Sequence, residues 1–218
     1  MTAEAALTRR DMTNERTMRA PRSDAPDTRG DILATAHRLF REIGYRKTTV
    51  ADIAAELKMS PANVYRFFDS KKSINEGVAE RLLGEIADAL EIEATRPDAT
   101  APARLRALLV TLSAMSEERF LSNKRMYDMV EDAMAESWDV CDRYVARCDA
   151  ILIGLVRDGC ARGEFAIEDP EAGARCVHAA VVCYCHPAMM AQSQEHPHAS
   201  IEQMAEFALR GLGARERG

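Results

Sequence analysis

Along most of the chain, apolar residues recur three and four positions apart, and the two-residue alternation of a strand appears nowhere. Ile32, Leu33, Ala36, Leu39, Phe40 and Ile43 share one face of a predicted first helix, opened by Thr28 and Asp31 as a capping box and stopped by Gly44. Thr49 and Asp52 repeat the cap signal before a short second helix, in which Val50, Ile53, Ala54 and Leu57 face one way. Only Lys58-Met59 separates it from Ser60-Pro61, a serine N-cap followed by proline at the first helical position. Two short helices joined so tightly must cross steeply, which is the helix-turn-helix arrangement.

Ser70 caps a long fourth helix, over about residues 71 to 95, that ends at the break TRPDATAP. Leu105, Leu108, Leu109, Leu112 and Met115 mark a fifth helix, and Met126, Met129, Val130 and Ala133 a sixth. A seven-residue rhythm from Trp138 through Cys141, Tyr144, Val145, Cys148, Ile151, Leu152, Leu155 and Val156 predicts a long seventh helix ending near Gly163. Asp169-Pro170 opens an eighth, and Ser200 with Gln203 boxes a ninth that carries Ile201, Met204, Ala205, Ala208, Leu209 and Leu212 and stops at Gly211. The expected fold class is all-α: a three-helix, N-terminal helix-turn-helix domain over residues 28–74 joined to a larger helical domain over residues 75–218. Residues 1–27, polar and proline-punctuated without periodicity, read as a disordered arm.

Composition agrees, with 47% hydrophobic but only 6% aromatic residues, as helical proteins rich in Ala and Leu have. Charge changes the picture more. A formal charge of −6 argues against coating a polyanion along the whole chain, yet residues 29–76 carry nine Lys and Arg against six Asp and Glu, and residues 77–218 fifteen against twenty-four. A basic head on an acidic body fits local contact with nucleic acid. No apolar run has the length of a signal-peptide core or a membrane span, so a cytoplasmic protein without a membrane partner is expected. The six cysteines lie inside helical patterns and read as reduced thiols.

On a helical wheel of about 100° per residue, Val64 and Phe68 fall on the buried side of the third helix, while Ala62, Asn63 and Arg66 lie opposite. A small residue, an amide and a guanidinium are the groups that read base edges, so Pro61, Ala62, Asn63 and Arg66 are the base-facing candidates. Around them, Thr48, Thr49, Lys58, Ser60, Tyr65, Phe67 and Lys71 are candidate phosphate contacts. Thr49, Ser60 and Lys71 stand at helix starts, where free N–H groups and the helix dipole favour an anion.

The run GDILATAHRLFREIGYRKTTVADIAAELKMSPANVYRFFDSKKSI resembles the DNA-binding region of the TetR family of bacterial transcriptional regulators. The resemblance implies a homodimer of nine or ten helices per chain, three for DNA and the rest for dimerisation and effector binding, with a small molecule releasing a double-stranded operator. It also implies phosphate contacts at Thr49, Ser60, Tyr65 and Lys71, and base-facing positions at Ala62, Asn63 and Arg66. Two positions depart from the family pattern: Pro61-Ala62 stands where many members have Lys-Gly, and Arg66 where many have His.

Past residue 90 the resemblance is weak. The stretch PEAGARCVHAAVVCYCHPAMM is apolar nearly all round, which predicts a helix buried against both its own body and a second subunit. Val177, Val181, Tyr184, Met204 and Ala208 are the dimer-interface candidates. Cys176, His178, Cys183, Cys185 and His186 do not share one face, so no metal site is expected; no cofactor or enzyme signature is present either. Met115, Met126, Tyr127, Met129, Met134, Trp138, Cys141 and Tyr144 suit an adaptable apolar pocket, with Glu131, Asp132 and Arg143 as possible polar handles. The expected function is a homodimeric repressor released from a palindromic operator by an unidentified apolar or amphipathic molecule. A thiol- or metal-responsive regulator on the same scaffold, and an enzyme with a vestigial helix-turn-helix, are the alternatives.

Overall fold

The computed structural model describes residues 27–121, 138–193 and 198–214. Helices α1 (Thr28–Ile43), α2 (Val50–Glu56) and α3 (Pro61–Val64) form the head, and α4 (Lys71–Ala94) runs from it into the body. The body holds α5 (Ala101–Ser116), which continues into a π-helical turn (Glu117–Leu121), and α6 (Trp138–Ala161). It is completed by α7 (Pro170–Val181), a 3-10 turn (Val182–Tyr184), α8 (Pro187–Ser193) and α9 (Ile201–Gly211). The described residues contain no strand, as the periodicity predicts.

Local chemistry sets most of the boundaries. Thr49 with Asp52 and Ser200 with Gln203 form reciprocal capping boxes, Ser60 and Asp169 cap helices that begin with proline, and Ser70 closes a box with Ser73. The first helix is capped one residue earlier than the sequence reading places it. Asp27 Oδ1, not Thr28, accepts the Gly30 N–H at 3.0 Å, and Thr28 is itself the first helical residue. Gly44 takes a φ of 95°, a conformation that side chains other than hydrogen rarely adopt, and so ends α1.

Two apolar clusters follow. Ile32, Phe40, Ile53, Val64 and Phe68 fill the head core together with Ile74, Val78 and Leu82 from the first half of α4. The second half of α4 sends Ile86, Leu90 and Ala94 into the body core, where they meet Leu105, Leu108, Leu152, Val156, Val177 and Leu209. Gly77 lets α1 close on α4, since a Cβ there would lie 2.8 Å from Leu33 Cδ2.

The expected single eighth helix over residues 170–190 is broken. It tightens after Val181 and restarts at Pro187, because proline has no N–H to continue the ladder and disfavours helical backbone at His186 before it. The far end of the body is pinned by polar groups instead. Glu164, buried, accepts the Ala101 N–H at 2.6 Å, and buried Arg104 joins the Ala94 carbonyl at 2.9 Å to the Asp158 carboxylate. Glu164→Ala leaves the first N–H of α5 buried and unpaired, and should lower stability by about 1–3 kcal/mol in urea denaturation. The head, remote from that contact, should be unaltered in its amide exchange.

Candidate nucleic-acid interface

The turn between α2 and α3 is set by backbone geometry. Lys58 has a φ of 53°, uncommon for a residue with a side chain, and the Met59 N–H reaches back to the Ala54 carbonyl at 2.9 Å. Ser60 Oγ accepts the Asn63 N–H at 3.2 Å and starts the short α3. After Val64 the chain tightens, with Arg66 N–H bonded to Asn63 O at 3.2 Å and Phe67 N–H to Val64 O at 3.0 Å. Such three-residue bonds advance about 120° per residue, so the wheel drawn for residues 60–68 holds only for the first turn.

The inward and outward division survives. Val64 and Phe68 are buried, and Pro61, Ala62, Tyr65, Arg66 and Phe67 are exposed, Tyr65 at 50%. Asn63 is half-buried, with Nδ2 lying 3.7 Å from Met59 Sδ. Two exposed aromatic rings beside a guanidinium form a surface suited to a partner that offers both apolar and anionic groups.

The flanking candidates divide. Thr48 is 1% exposed, and its hydroxyl donates to the Gly44 carbonyl at 2.9 Å, so it is a packing residue and not a phosphate contact. Thr49 is exposed, but its hydroxyl both donates to Asp52 Oδ2 at 2.7 Å and accepts the Asp52 N–H at 3.1 Å. Those contacts, the Thr49 side chain first and its backbone N–H second, hold the Asp52 carboxyl below the usual carboxylate range. Lys58 and Ser60 are exposed, whereas Lys71 is half-buried with Nζ 4.2 Å from the centre of the Tyr45 ring. Two contributors escape the sequence reading. Tyr45, packed edge-on against Phe40, steadies Lys71, and Arg29 lies 4.8 Å from the Phe68 ring at the base of the reading segment. A cation that meets an aromatic ring far away in the chain leaves no local sequence signal.

In the body, Met115, Cys141 and Tyr144 are half-buried, and Met115 and Tyr144 pack against the core. Met126, Tyr127, Met129 and Met134, the side chain of Trp138, the sixth helix, Glu131 and Asp132 lie outside the described residues. Arg143 is exposed and pairs with Glu80 at 3.3 Å, which makes it a surface bridge rather than a ligand handle. Burial pushes the Cys141, Cys148 and Cys185 thiols up, Cys185 to about 12, which keeps them from the thiolate form that reacts. Among the described residues, no three His, Cys, Asp or Glu side chains gather as metal ligands do.

The interface candidates need correction. Val177, Val181, Tyr184 and Ala208 are buried within the subunit, and Met204 packs half-buried on the same core. Once the eighth helix breaks, its own chain covers Val177, Val181, Tyr184 and Met190, while Met189 stays exposed. What α7 and α9 leave open is a groove of about 460 Å³ lined by Ala172, Cys176, Ala180, Gly211 and Phe207, with Phe207 69% exposed.

Against this geometry, the description "Bacterial regulatory proteins, tetR family" matches residues 32–78, and "Tetracyclin repressor-like, C-terminal domain" matches residues 101–204. The chain belongs to the TetR family of bacterial regulators. The TetR fold is shared with the reduced form of NemR from E. coli, at a TM-score of 0.66 and 14% identity over 87% of this chain and 100% of that one. It is shared also with the superantigen PfiT, at 0.62 and 23% identity over 87% and 98%. SmeT, the repressor of the Stenotrophomonas maltophilia multidrug efflux pump SmeDEF, matches at 0.59 and 22% identity over 84% and 87%, and is solved with triclosan as well. No match was found among curated proteins. Membership gives the exposed α3 surface its place in a TetR DNA-binding head. The reassignment of Thr48 is checked with Thr48→Val. It should lower stability by about 0.5–1.5 kcal/mol in urea, and leave the salt dependence of DNA binding unchanged.

Proposed function

We propose that the protein is a cytoplasmic repressor that binds a palindromic operator as a homodimer and leaves it when a small apolar or amphipathic molecule enters the body. The observation that carries this reading is the anchoring of α3. Buried Val64 and Phe68 fix it to the head, and Ala62, Arg66 and Tyr65 stand outward beside Asn63 in the part of the chain where cations outnumber acids. In this reading Arg66 pairs with guanine, Asn63 with adenine, and the methyl of Ala62 meets thymine. Lys58, Ser60, Tyr65, Phe67 and Lys71 flank them for the backbone, while Thr49 must share its hydroxyl with Asp52.

The groove between α7 and α9 supports dimerisation. A large exposed ring over a floor of alanine and glycine suits a second copy related by a two-fold axis, which buries Phe207 from both sides. A two-fold pair of heads reads half-sites separated by about one helical turn. Burial raises the Cys148 and Cys185 thiols, which counts against those two as the reactive groups of a thiol-responsive regulator. Release by an organic molecule is supported by the methionines and aromatics that the sequence gathers between Met115 and Tyr144, and by the triclosan complex of SmeT.

Selection from a random duplex pool with the full-length protein should enrich a palindrome with half-sites about 10 bp apart. An unenriched pool would sink the operator-binding reading. On the enriched site, Asn63→Ala and Arg66→Ala should each cost about 1–3 kcal/mol and relax preference at particular base pairs, with random DNA little affected. Phe207→Glu, which places charge in the groove, should give a monomer in sedimentation and abolish binding to the full palindrome.

A further inference from the structure

We infer that the Tyr45 ring joins two basic segments of the head, Arg46-Lys47 and Lys71-Lys72, into one cationic patch that meets the DNA phosphate backbone. The inference rests on the reading of the head as a DNA-binding domain, and extends its phosphate contacts beyond α3 with Tyr45 as a positioning residue.

The two segments are far apart in the chain: Arg46-Lys47 lies in the connection between α1 and α2, and Lys71-Lys72 opens α4. Tyr45 brings them together. Lys71 Nζ lies 4.2 Å from the centre of its ring, and Arg46-Lys47 follows it directly in sequence. The ring is itself held in place, because it meets fully buried Phe40 edge-on, with centroids 5.3 Å apart and planes at 87°. The backbone that carries Tyr45 is fixed as well. Gly44, at a φ of 95°, turns the chain out of α1, and its carbonyl accepts the Thr48 N–H at 3.1 Å and the Thr48 hydroxyl at 2.9 Å. The N–H bond needs no side chain, so the turn stays closed in Thr48→Val.

Charge and exposure decide what the patch meets. Arg46, Lys47 and Lys72 are exposed and Lys71 is half-buried, and Asp69 is the one acid that residues 44–48 and 69–73 set against these four cations. Lys72 also approaches Glu76, but at 3.9 Å between exposed groups, a pairing that holds little. Cations gathered in one place repel one another, and a polyanion relieves that repulsion. The electron-rich face of the ring attracts the Lys71 ammonium, which has three N–H groups and can turn another of them to a phosphate oxygen. Lysine is a long, flexible side chain, so holding it on the ring before DNA arrives reduces the ordering that binding requires.

The test measures the affinity of the full-length protein for one duplex of arbitrary sequence, because phosphate contacts do not depend on sequence. From Tyr45→Phe as the starting point, phenylalanines of increasing fluorination at position 45 draw charge from the ring face at nearly constant shape. Binding should weaken step by step, by about two- to fivefold at full fluorination. In Lys71→Met protein the same series should be flat, a result that a merely structural ring does not give. Lys71→Met, Arg46→Met and Lys47→Met should each reduce the slope of log affinity against log salt by about one. A fluorine series without effect while Lys71 is present, or one that persists in Lys71→Met, would overturn the role of Tyr45. Slopes left unchanged by Arg46→Met and Lys47→Met, or by Lys71→Met, would overturn the patch. Failure of the operator reading shows separately, as an unenriched duplex pool while the fluorine series and the salt slopes behave as expected.

Discussion

Helix α4 has to satisfy two hydrophobic cores at once. Ile74, Val78 and Leu82 belong to the head, and Ile86, Leu90 and Ala94 to the body, on one helix of 24 residues, about 36 Å long at the helical rise. Neither core can shift along its half without moving the other, because close-packed interiors do not deform continuously. The packing that seats α3 runs in part through this constraint. Phe68, which ends the reading segment, packs beside Gly77 of α4, and Val64 sits in the core that α4 completes.

The uneven charge of the chain takes on meaning along the same helix. Arg143 and Arg147 of α6 bind Glu80, Asp88 and Glu91 of α4, so part of the body's acidity is neutralised within the subunit. These pairs are mostly exposed and add little stability, but they orient α6 along α4. The head keeps Lys58 and Arg66 exposed near α3 with few acids beside them, Glu56 and Asp69 being the nearest in sequence and Glu56 paired with Arg38. A net-negative protein can therefore approach a polyanion through one end, where screening over about 8–10 Å shields the head from the distant acids.

Much of this was legible in the sequence, because capping is local chemistry. Thr49 with Asp52, Ser60 before Pro61, Asp169 before Pro170 and Ser200 with Gln203 announce helix starts that the structure reproduces. The periodicity of Val64 and Phe68 likewise announced which side of α3 is buried. Illegible features depend on contacts far apart in the chain. Thr48 looked like a phosphate ligand beside Thr49, and only the fold shows its hydroxyl turned to Gly44. The apolar run after Pro170 looked like a helix needing two neighbours, and the break before Pro187 lets one subunit cover Val177, Val181 and Tyr184. Glu164 at the start of α5, 63 residues away in sequence, has no local signature.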